Sequence, residues 1–156
     1  MVFVSSTIGE CADERAAARR AIESLNFEPI TFENIGARPH PVRATYLEGL
    51  SRSQICVVIW KDSYGYIDPQ SGLGISGIED EFRRAREYGR DLFIYIKKSE
   101  ARDPRLSALI EEAKSAHTLY FYDDVSQLED QIRADITSEV SKTYTDRFFR
   151  DLAPPA

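Results

Sequence analysis

The sequence predicts a doubly wound α/β domain, in which one parallel sheet of five strands carries helices on both faces. Short apolar runs alternate along the chain with longer stretches whose apolar residues recur at helical spacing. The connections between them are short, which favours crossovers between neighbouring parallel strands. At 156 residues the chain is long enough for one buried core and too short for two domains of ordinary size.

Five strands are predicted, each from an apolar run bounded by polar or turn residues. Pro29 lies near the start of the second run and suggests that this strand is at an edge of the sheet. Right-handed crossovers make a flavodoxin-like strand order of 2-1-3-4-5 the simplest arrangement. The predicted strands cover residues 1–4, 28–32, 55–60, 92–96 and 118–122.

The helices are predicted from apolar residues at helical spacing between these strands. Gly89 is a suitable residue to follow the end of the third helix, and Asp103 with Pro104 is typical of an N-cap and a first helical position. Residues 34–41 are predicted to be a loop. The predicted helices cover residues 12–25, 42–50, 78–88, 104–113 and 125–152.

A long polar loop over residues 63–76 leaves the third strand and leads into the third helix. Its segment Gly72-Leu-Gly-Ile-Ser-Gly77 matches the dinucleotide-binding fingerprint, but that fingerprint follows a strand directly, and about a dozen residues intervene here. The sequence therefore favours a hinged loop that leads into a helix. Its backbone amides lie at the start of that helix and could hold an anion.

The third helix carries the acid that we consider the candidate functional residue. At about 100° per residue, Phe82 and Ala85 lie within roughly 40° of Ile78 and form the stripe that faces the core. Glu81 lies roughly 60° from Ile78 on the flank of this stripe, whereas Asp80 is expected to point to the far side. The alternative is that all the acids of this helix only form ion pairs in solvent. Those pairs would join Glu79, Asp80 and Glu81 to Arg83, Arg84 and Arg86.

Polar and aromatic side chains are expected to meet Glu81 at the switch point between the first and third strands, where open α/β sheets bind ligands. Hydroxyl groups follow the first strand, and aromatic rings that could stack on a base follow the third. The candidate substrate-binding residues are Ser5, Ser6, Thr7, Trp60, Asp62, Tyr64 and Ser76.

The composition argues against several other functions. A net charge of -6 is unlike a nucleic-acid-binding protein, and no apolar run approaches the roughly 20 residues that span a membrane. The two cysteines and the absence of a leader sequence suggest a cytoplasmic protein. His40 and His117 stand apart from other ligand-type residues, so we expect no metal and no bound cofactor. Cys11 lies near a helix start that could lower its pKa, but no histidine is positioned to activate it.

The last predicted helix, over residues 125–152, would be about 40 Å long, which exceeds the width of a small α/β domain. Residues 1–124 would then form the domain, and the helix would pack on it and project beyond it. Phe148, Phe149 and Leu152 are expected to find no core there, and residues 153–156 resemble the start of a linker.

Several motifs together resemble a family of unknown function found at the N-terminus of STAND and NACHT-type ATPase proteins. They are Val2-Phe-Val-Ser-Ser-Thr7, Asp13-Glu-Arg15, Asp62-Ser-Tyr-Gly65 and Ser76-Gly-Ile-Glu-Asp-Glu-Phe82 with Ala85. That family is similar in fold to nucleoside 2-deoxyribosyltransferases and to TIR domains, so the resemblance implies a TIR-like fold. In the transferases a glutamate followed four residues later by alanine is the nucleophile, and Glu81 with Ala85 matches that pair. A helix glutamate has a comparable role in TIR domains that cleave NAD.

The resemblance implies two hypotheses. The first is a TIR-like effector that hydrolyses the N-glycosidic bond of NAD or a related nucleotide in anti-phage or innate-immune signalling, self-associating and attached to a downstream ATPase domain. The second is a non-catalytic module for nucleotide sensing, protein interaction or oligomerisation. A cleft that holds Glu81 would favour the first, and a Glu81 paired to arginines in solvent would favour the second.

Overall fold

The computed structural model describes residues 1–152, apart from the side chains of residues 34 and 35. The strands are β1 (Val2–Ser5), β2 (Pro29–Ile30), β3 (Ile55–Trp60), β4 (Asp91–Lys97) and β5 (Leu119–Tyr122). They form one parallel sheet in the order β2-β1-β3-β4-β5, which confirms the predicted order and the edge position of the strand with Pro29. The helices are α1 (Ala12–Ser24), α2 (Phe32–Ile35), α3 (Val42–Ser51), α4 (Gly77–Glu87), α5 (Pro104–Lys114) and α6 (Val125–Leu152).

The alternation of side chains along the strands gives the sheet two buried faces, as a doubly wound fold requires. Phe3, Val58 and Trp60 point to one face, where α3, α4 and α5 cover them. Val4 and Val57 point to the opposite face, which α1 and α6 cover. Two adjacent residues of β1 therefore face different layers of helices. This alternation determines which side chains at the end of β1 reach the candidate site.

The segment after β2 differs from the prediction. β2 contains only Pro29–Ile30, and the following residues form the single helical turn α2 where a strand end and a loop were predicted. Glu33 of this turn forms an ion pair with the buried side chain of Arg15 on α1. This contact between distant parts of the chain favours the turn, and a short-range pattern could not show it.

The ends of α4 and the start of α5 agree with their sequence signals. The Ser76 side chain caps α4 by accepting a hydrogen bond from the Glu79 amide at 3.4 Å. Gly89 follows the helix with a φ of 65°, in the left-handed region that glycine adopts without strain. Asp103 and Pro104 are the N-cap and first residue of α5. The start and the end of α4 are thus both defined by local signals.

The long C-terminal helix α6 is confirmed, and only its first half packs on the sheet. Leu128, Ile132 and Ile136 are fully buried. Beyond them the apolar residues are exposed, including Tyr144 at 73% and Phe149 at 65%. The predicted linker at residues 153–156 lies outside the described residues. Among residues 1–152, no helix combines the length and apolarity needed to cross a membrane.

Candidate functional site

A cavity of about 580 Å³ opens at the carboxyl end of β1. This lies within the range of small-molecule sites, and the position is where open α/β sheets bind ligands. Its wall combines the loop after β1, the loop after β3, and the first turns of α3 and α4. The polar side chains in the wall include Ser6, Thr7, Glu10, Arg15, Arg43, Asp80 and Glu81.

Glu81 lies in this wall, and the alternation of side chains along β1 brings Ser5 to it. Ser5 points to the α4 side of the sheet, where its hydroxyl donates a short hydrogen bond to Oε2 of Glu81. The Glu81 side chain is half-buried, with its open part at the cavity. Among residues 1–152, no lysine or arginine lies within ion-pair distance of it. The candidate acid is therefore in a cleft, held by a neutral donor.

The surroundings of Glu81 disfavour its charge. Burial raises the pKa of the Glu81 carboxyl to about 7, and the negative charge of Asp80 acts in the same direction. The hydrogen bond from Ser5 and the positive charge of Arg15 oppose this shift. At neutral pH the group is thus close to its titration midpoint, where both the acid and the carboxylate are available for chemistry.

The two acids before Glu81 have different partners. Glu79 accepts hydrogen bonds from the Tyr64 hydroxyl and, at 2.7 Å, from the Arg83 guanidinium, so it has the expected arginine partner but is buried rather than in solvent. Asp80 was expected to point to the far side of the helix, away from the core stripe, but that side is not exposed to solvent. Asp80 is 3% exposed and lines the cavity, because α3 covers that side of α4.

Asp80 is held by two residues of α3. The Arg43 guanidinium contacts it at 2.8 and 3.3 Å, and the Tyr46 hydroxyl donates to its Oδ2 at 2.7 Å. These partners keep the pKa of Asp80 below its ordinary value, although burial acts in the opposite direction and is the largest single influence. Asp80 therefore stays ionised next to Glu81. Its negative charge explains why it raises the pKa of the Glu81 carboxyl.

Arg15 is a cavity residue that the sequence analysis did not identify. It is 4% exposed, and its Nη1 donates to Oγ and the carbonyl oxygen of Ser6 at 2.8 and 3.3 Å. Its spacing from Ala18 and Ile22 places it on the buried stripe of α1, and a charged residue on such a stripe is a usable sequence signal.

Glu10 connects the two loops that form one side of the cavity. Its Oε1 accepts hydrogen bonds from the Thr7 hydroxyl at 3.0 Å and from the amides of Ser63 and Asp62 at 2.8 and 3.3 Å. The Thr7 hydroxyl is therefore already engaged in an internal contact. Glu10 was also missed, because its role depends on the approach of a loop about 50 residues away.

The structure brings Ser6 and Thr7 to the cavity wall, and Ser5 to the Glu81 carboxyl, but it does not bring four other candidates there. Trp60 is turned by strand parity into the core, where its ring packs against Phe82 with centroids 5.2 Å apart. The remaining three do not line the cavity, and they are Asp62, Tyr64 and Ser76.

Tyr64 and Ser76 stabilise the loop after β3. The Tyr64 hydroxyl donates to Glu79 and accepts a hydrogen bond from the Ser76 amide at 3.3 Å. The Arg105 guanidinium stacks 4.7 Å above the Tyr64 ring. An aromatic group that does reach the cavity is Tyr66, which is 77% exposed. Stacking on a base is thus available to Tyr66 and not to Trp60.

Residues 1–137 match the family described as a domain of unknown function, DUF4062, which covers most of the chain. The chain belongs to the DUF4062 family. The matched residues include all five strands and the whole cavity wall. Among curated proteins, none matches the sequence of this DUF4062 domain.

Two solved structures resemble the DUF4062 domain in fold. The TIR domain heterodimer of RPS4 and RRS1 gives a TM-score of 0.57 at 12% sequence identity, covering 88% of this chain and 96% of the other. A flavodoxin from the domain Archaea gives a TM-score of 0.50 at 17% identity, covering 90% and 96%. The DUF4062 domain therefore has a TIR-like, flavodoxin-like fold.

Other chemistry-bearing residues of the DUF4062 domain offer less than Glu81. Burial raises the pKa of the Cys11 thiol to about 11, so the expected lowering by the helix start is outweighed and the thiol stays protonated. Within residues 1–152, no group of three or more histidine, cysteine or acidic residues is arranged to hold a metal ion. Glu81 remains the residue best suited to chemistry at this cavity.

Proposed function

We propose that this DUF4062 domain is an N-glycosidase that acts on NAD or a related nucleotide. The observation that carries the proposal is the position of Glu81. Of the three consecutive acids of α4, it alone has no arginine within ion-pair distance among the described residues, and it borders a cavity large enough for a nucleotide. This is the arrangement expected of a reacting carboxylate and not of a solvated ion pair.

The reaction breaks the bond between C1′ of the ribose and the nitrogen of nicotinamide. The bonding electrons leave with nicotinamide, which is cationic in NAD and departs neutral, so the leaving group needs no proton. Positive charge develops at C1′, and the Glu81 carboxylate stabilises it or forms an ester with it, as carboxylates do in retaining glycosidases. Water then adds to C1′, and where an ester has formed its C1′–O bond breaks and returns the Glu81 carboxylate. The proton of the water passes to that carboxylate or to solvent, which leaves the ribose with a hydroxyl group at C1′.

The other residues of the cavity have supporting roles in this proposal. Ser5 orients the Glu81 carboxylate and favours its charged form. Asp80, held by Arg43 and Tyr46, adds negative potential that favours a cationic sugar. Tyr66 is placed to stack on the base.

The proposed setting is defence signalling in the cytoplasm. The family resemblance suggests attachment to a STAND or NACHT-type ATPase and a role in anti-phage or innate-immune responses. Self-association would fit the exposed aromatic residues at the end of α6, and the similar TIR structure is itself a heterodimer. In this setting, assembly of the ATPase would concentrate the domains and so activate cleavage.

The second candidate is a non-catalytic interaction module. The exposed Tyr144, Phe148 and Phe149 on α6 favour it, because apolar surface of this kind commonly mediates association. In that case the cavity would bind a nucleotide without cleaving it. Glu81→Gln would then leave nucleotide binding and self-association intact.

The test is to incubate the domain at high concentration with NAD and follow nicotinamide release as a function of pH. The Glu81 carboxyl must be ionised to stabilise positive charge, and its pKa is about 7. We therefore expect the rate to rise as the pH increases through about 7. No release above the protein-free rate at any pH would reject the enzymatic function and leave the interaction module.

A further inference from the structure

The Arg15 guanidinium is a cation at the cavity, and its N–H groups already donate hydrogen bonds to other residues of the protein. Its Nε and Nη2 donate to the two carboxylate oxygens of Glu33, the second contact being 2.6 Å long. This is the side-on fork geometry in which arginine binds either a carboxylate or a phosphate. Glu33 thus fills the position that two oxygens of a ligand would take.

The two partners differ in how they are held. The Arg15 side chain is 5% exposed, and it is oriented independently of Glu33 by its hydrogen bonds to Ser6. The Glu33 side chain is 44% exposed and belongs to α2, a helix of four residues, where the Thr31 side chain also donates a hydrogen bond to it. If another anion displaced the Glu33 carboxylate, the Arg15 guanidinium would therefore keep its position.

From these contacts we propose that Arg15 and Ser6 form a phosphate subsite for the substrate, which Glu33 occupies in the free protein as an internal competitor. A phosphate group of the nucleotide would displace Glu33 and take up the same two N–H groups. Phe32, the neighbour of Glu33 on α2, lines the cavity, so the release of Glu33 would also change the cavity entrance.

The location of the subsite suits a nucleotide whose sugar reaches Glu81. Ser5 contacts Glu81 and Ser6 contacts Arg15, so the two groups are anchored by adjacent residues of one strand end. A ligand with a sugar at Glu81 could thus place a phosphate at Arg15. In assigning the phosphate of the substrate, the inference rests on the function proposed above, but anion binding can be measured without any turnover.

The experiment is calorimetric titration of the folded protein with inorganic phosphate at constant ionic strength, in wild type and Glu33→Gln. The neutral amide no longer competes for the guanidinium, so we expect phosphate to bind Glu33→Gln at least about tenfold more tightly. Phosphate should also raise the thermal midpoint of Glu33→Gln more than that of wild type, since it replaces the lost partner of a buried cation. Equal phosphate affinity of the two proteins would overturn the proposal.

Glu23→Gln is the matched control, because Glu23 pairs with Arg19 on the exposed surface of α1 and its side chain is 49% exposed. A similar gain in phosphate affinity in this control would assign the effect to net charge and also overturn the subsite.

Measurements of turnover then test the phosphate subsite and the glycosidase activity separately. Glu33→Gln should lower the KM for NAD but not for nicotinamide riboside, which has no phosphate. Tighter phosphate binding without turnover of either compound would keep the subsite and reject the glycosidase. Turnover with the same change of KM for both compounds would keep the glycosidase and reject the subsite.

Discussion

The Glu81 carboxyl is more easily protonated in the folded protein than in the unfolded chain. Its pKa is about 7 instead of 4.5, so the folded state binds the proton more tightly and loses stability as the pH rises from about 4.5 to 7. A neutral glutamine has no such loss. We expect Glu81→Gln to be more stable than wild type by about 1–3 kcal/mol at pH 8, with little difference at pH 4.

Urea unfolding at a series of pH values measures this difference. Glu111→Gln is a suitable control, since Glu111 is 70% exposed and pairs only with Lys114 among the described residues. A Glu81→Gln variant that is less stable than wild type at pH 8 would show that the folded protein does not disfavour the ionised Glu81 carboxylate.

Ser5 is expected to set the titration of Glu81. Its hydroxyl lowers the pKa of that carboxyl, so Ser5→Ala should shift the titration midpoint upward. A hydrogen bond to a charged group contributes roughly 1.5–3 kcal/mol, which corresponds to a shift of about one pH unit or more. Titration of the Glu81 side chain by carbon NMR measures it without turnover. An unchanged or lower midpoint would mean that Ser5 does not stabilise the carboxylate.

At the residue scale, helical periodicity was sufficient to place Glu81 but not to describe its neighbours. The angle from Ile78 placed Glu81 at the margin of the core, where the structure has it. The same angle placed Asp80 on the far side of the helix, but helical periodicity cannot show that a second helix covers that side. Arg15 forms an ion pair with Glu33, and no local pattern contains that pair.

At the scale of elements, Asp80 joins α4 to α3 through Arg43 and Tyr46. Replacing Asp80 with asparagine removes a buried charge from three charge-assisted hydrogen bonds, so we expect a loss of about 1–3 kcal/mol of unfolding free energy. Tyr46→Phe should cost about 1 kcal/mol. Tyr88→Phe, at a 37% exposed ring near the end of α4, is the matched control. Asp80→Asn as stable as wild type would contradict this role.

The order of the elements could be predicted because each signal is local. Alternating runs and short connections determine which strands are neighbours, and right-handed crossovers leave few arrangements. The turn α2 could not be predicted, since a four-residue helix has little propensity of its own and depends on a contact with α1. Trp60, the last residue of β3, was predicted to bind substrate, but strand parity sends its side chain into the core.

At the scale of the whole molecule, the second half of α6 has no partner within the described residues. Removal of the chain after residue 140 takes away exposed side chains such as Tyr144 and Phe149 but none of the buried ones. We expect the shortened protein to unfold with nearly the same free energy and to self-associate less, as measured by sedimentation at increasing concentration. Loss of folding would show instead that the tail completes the core.

Phe148→Ser with Phe149→Ser tests the same surface without shortening the helix. Both rings are exposed, so the double variant should reduce self-association as the truncation does. Unchanged association of the double variant would exclude these rings from the contact.

The measurement that tests the central claim most directly is nicotinamide release from NAD by Glu81→Gln compared with wild type, at equal protein concentration and with Glu111→Gln as the control. Because one carboxylate is proposed to stabilise the charge at C1′ by about 3 kcal/mol, the variant should keep its fold and lose at least about a hundredfold in rate, while the control keeps its activity. Equal rates in wild type and Glu81→Gln would contradict the assignment of Glu81 as the reacting group.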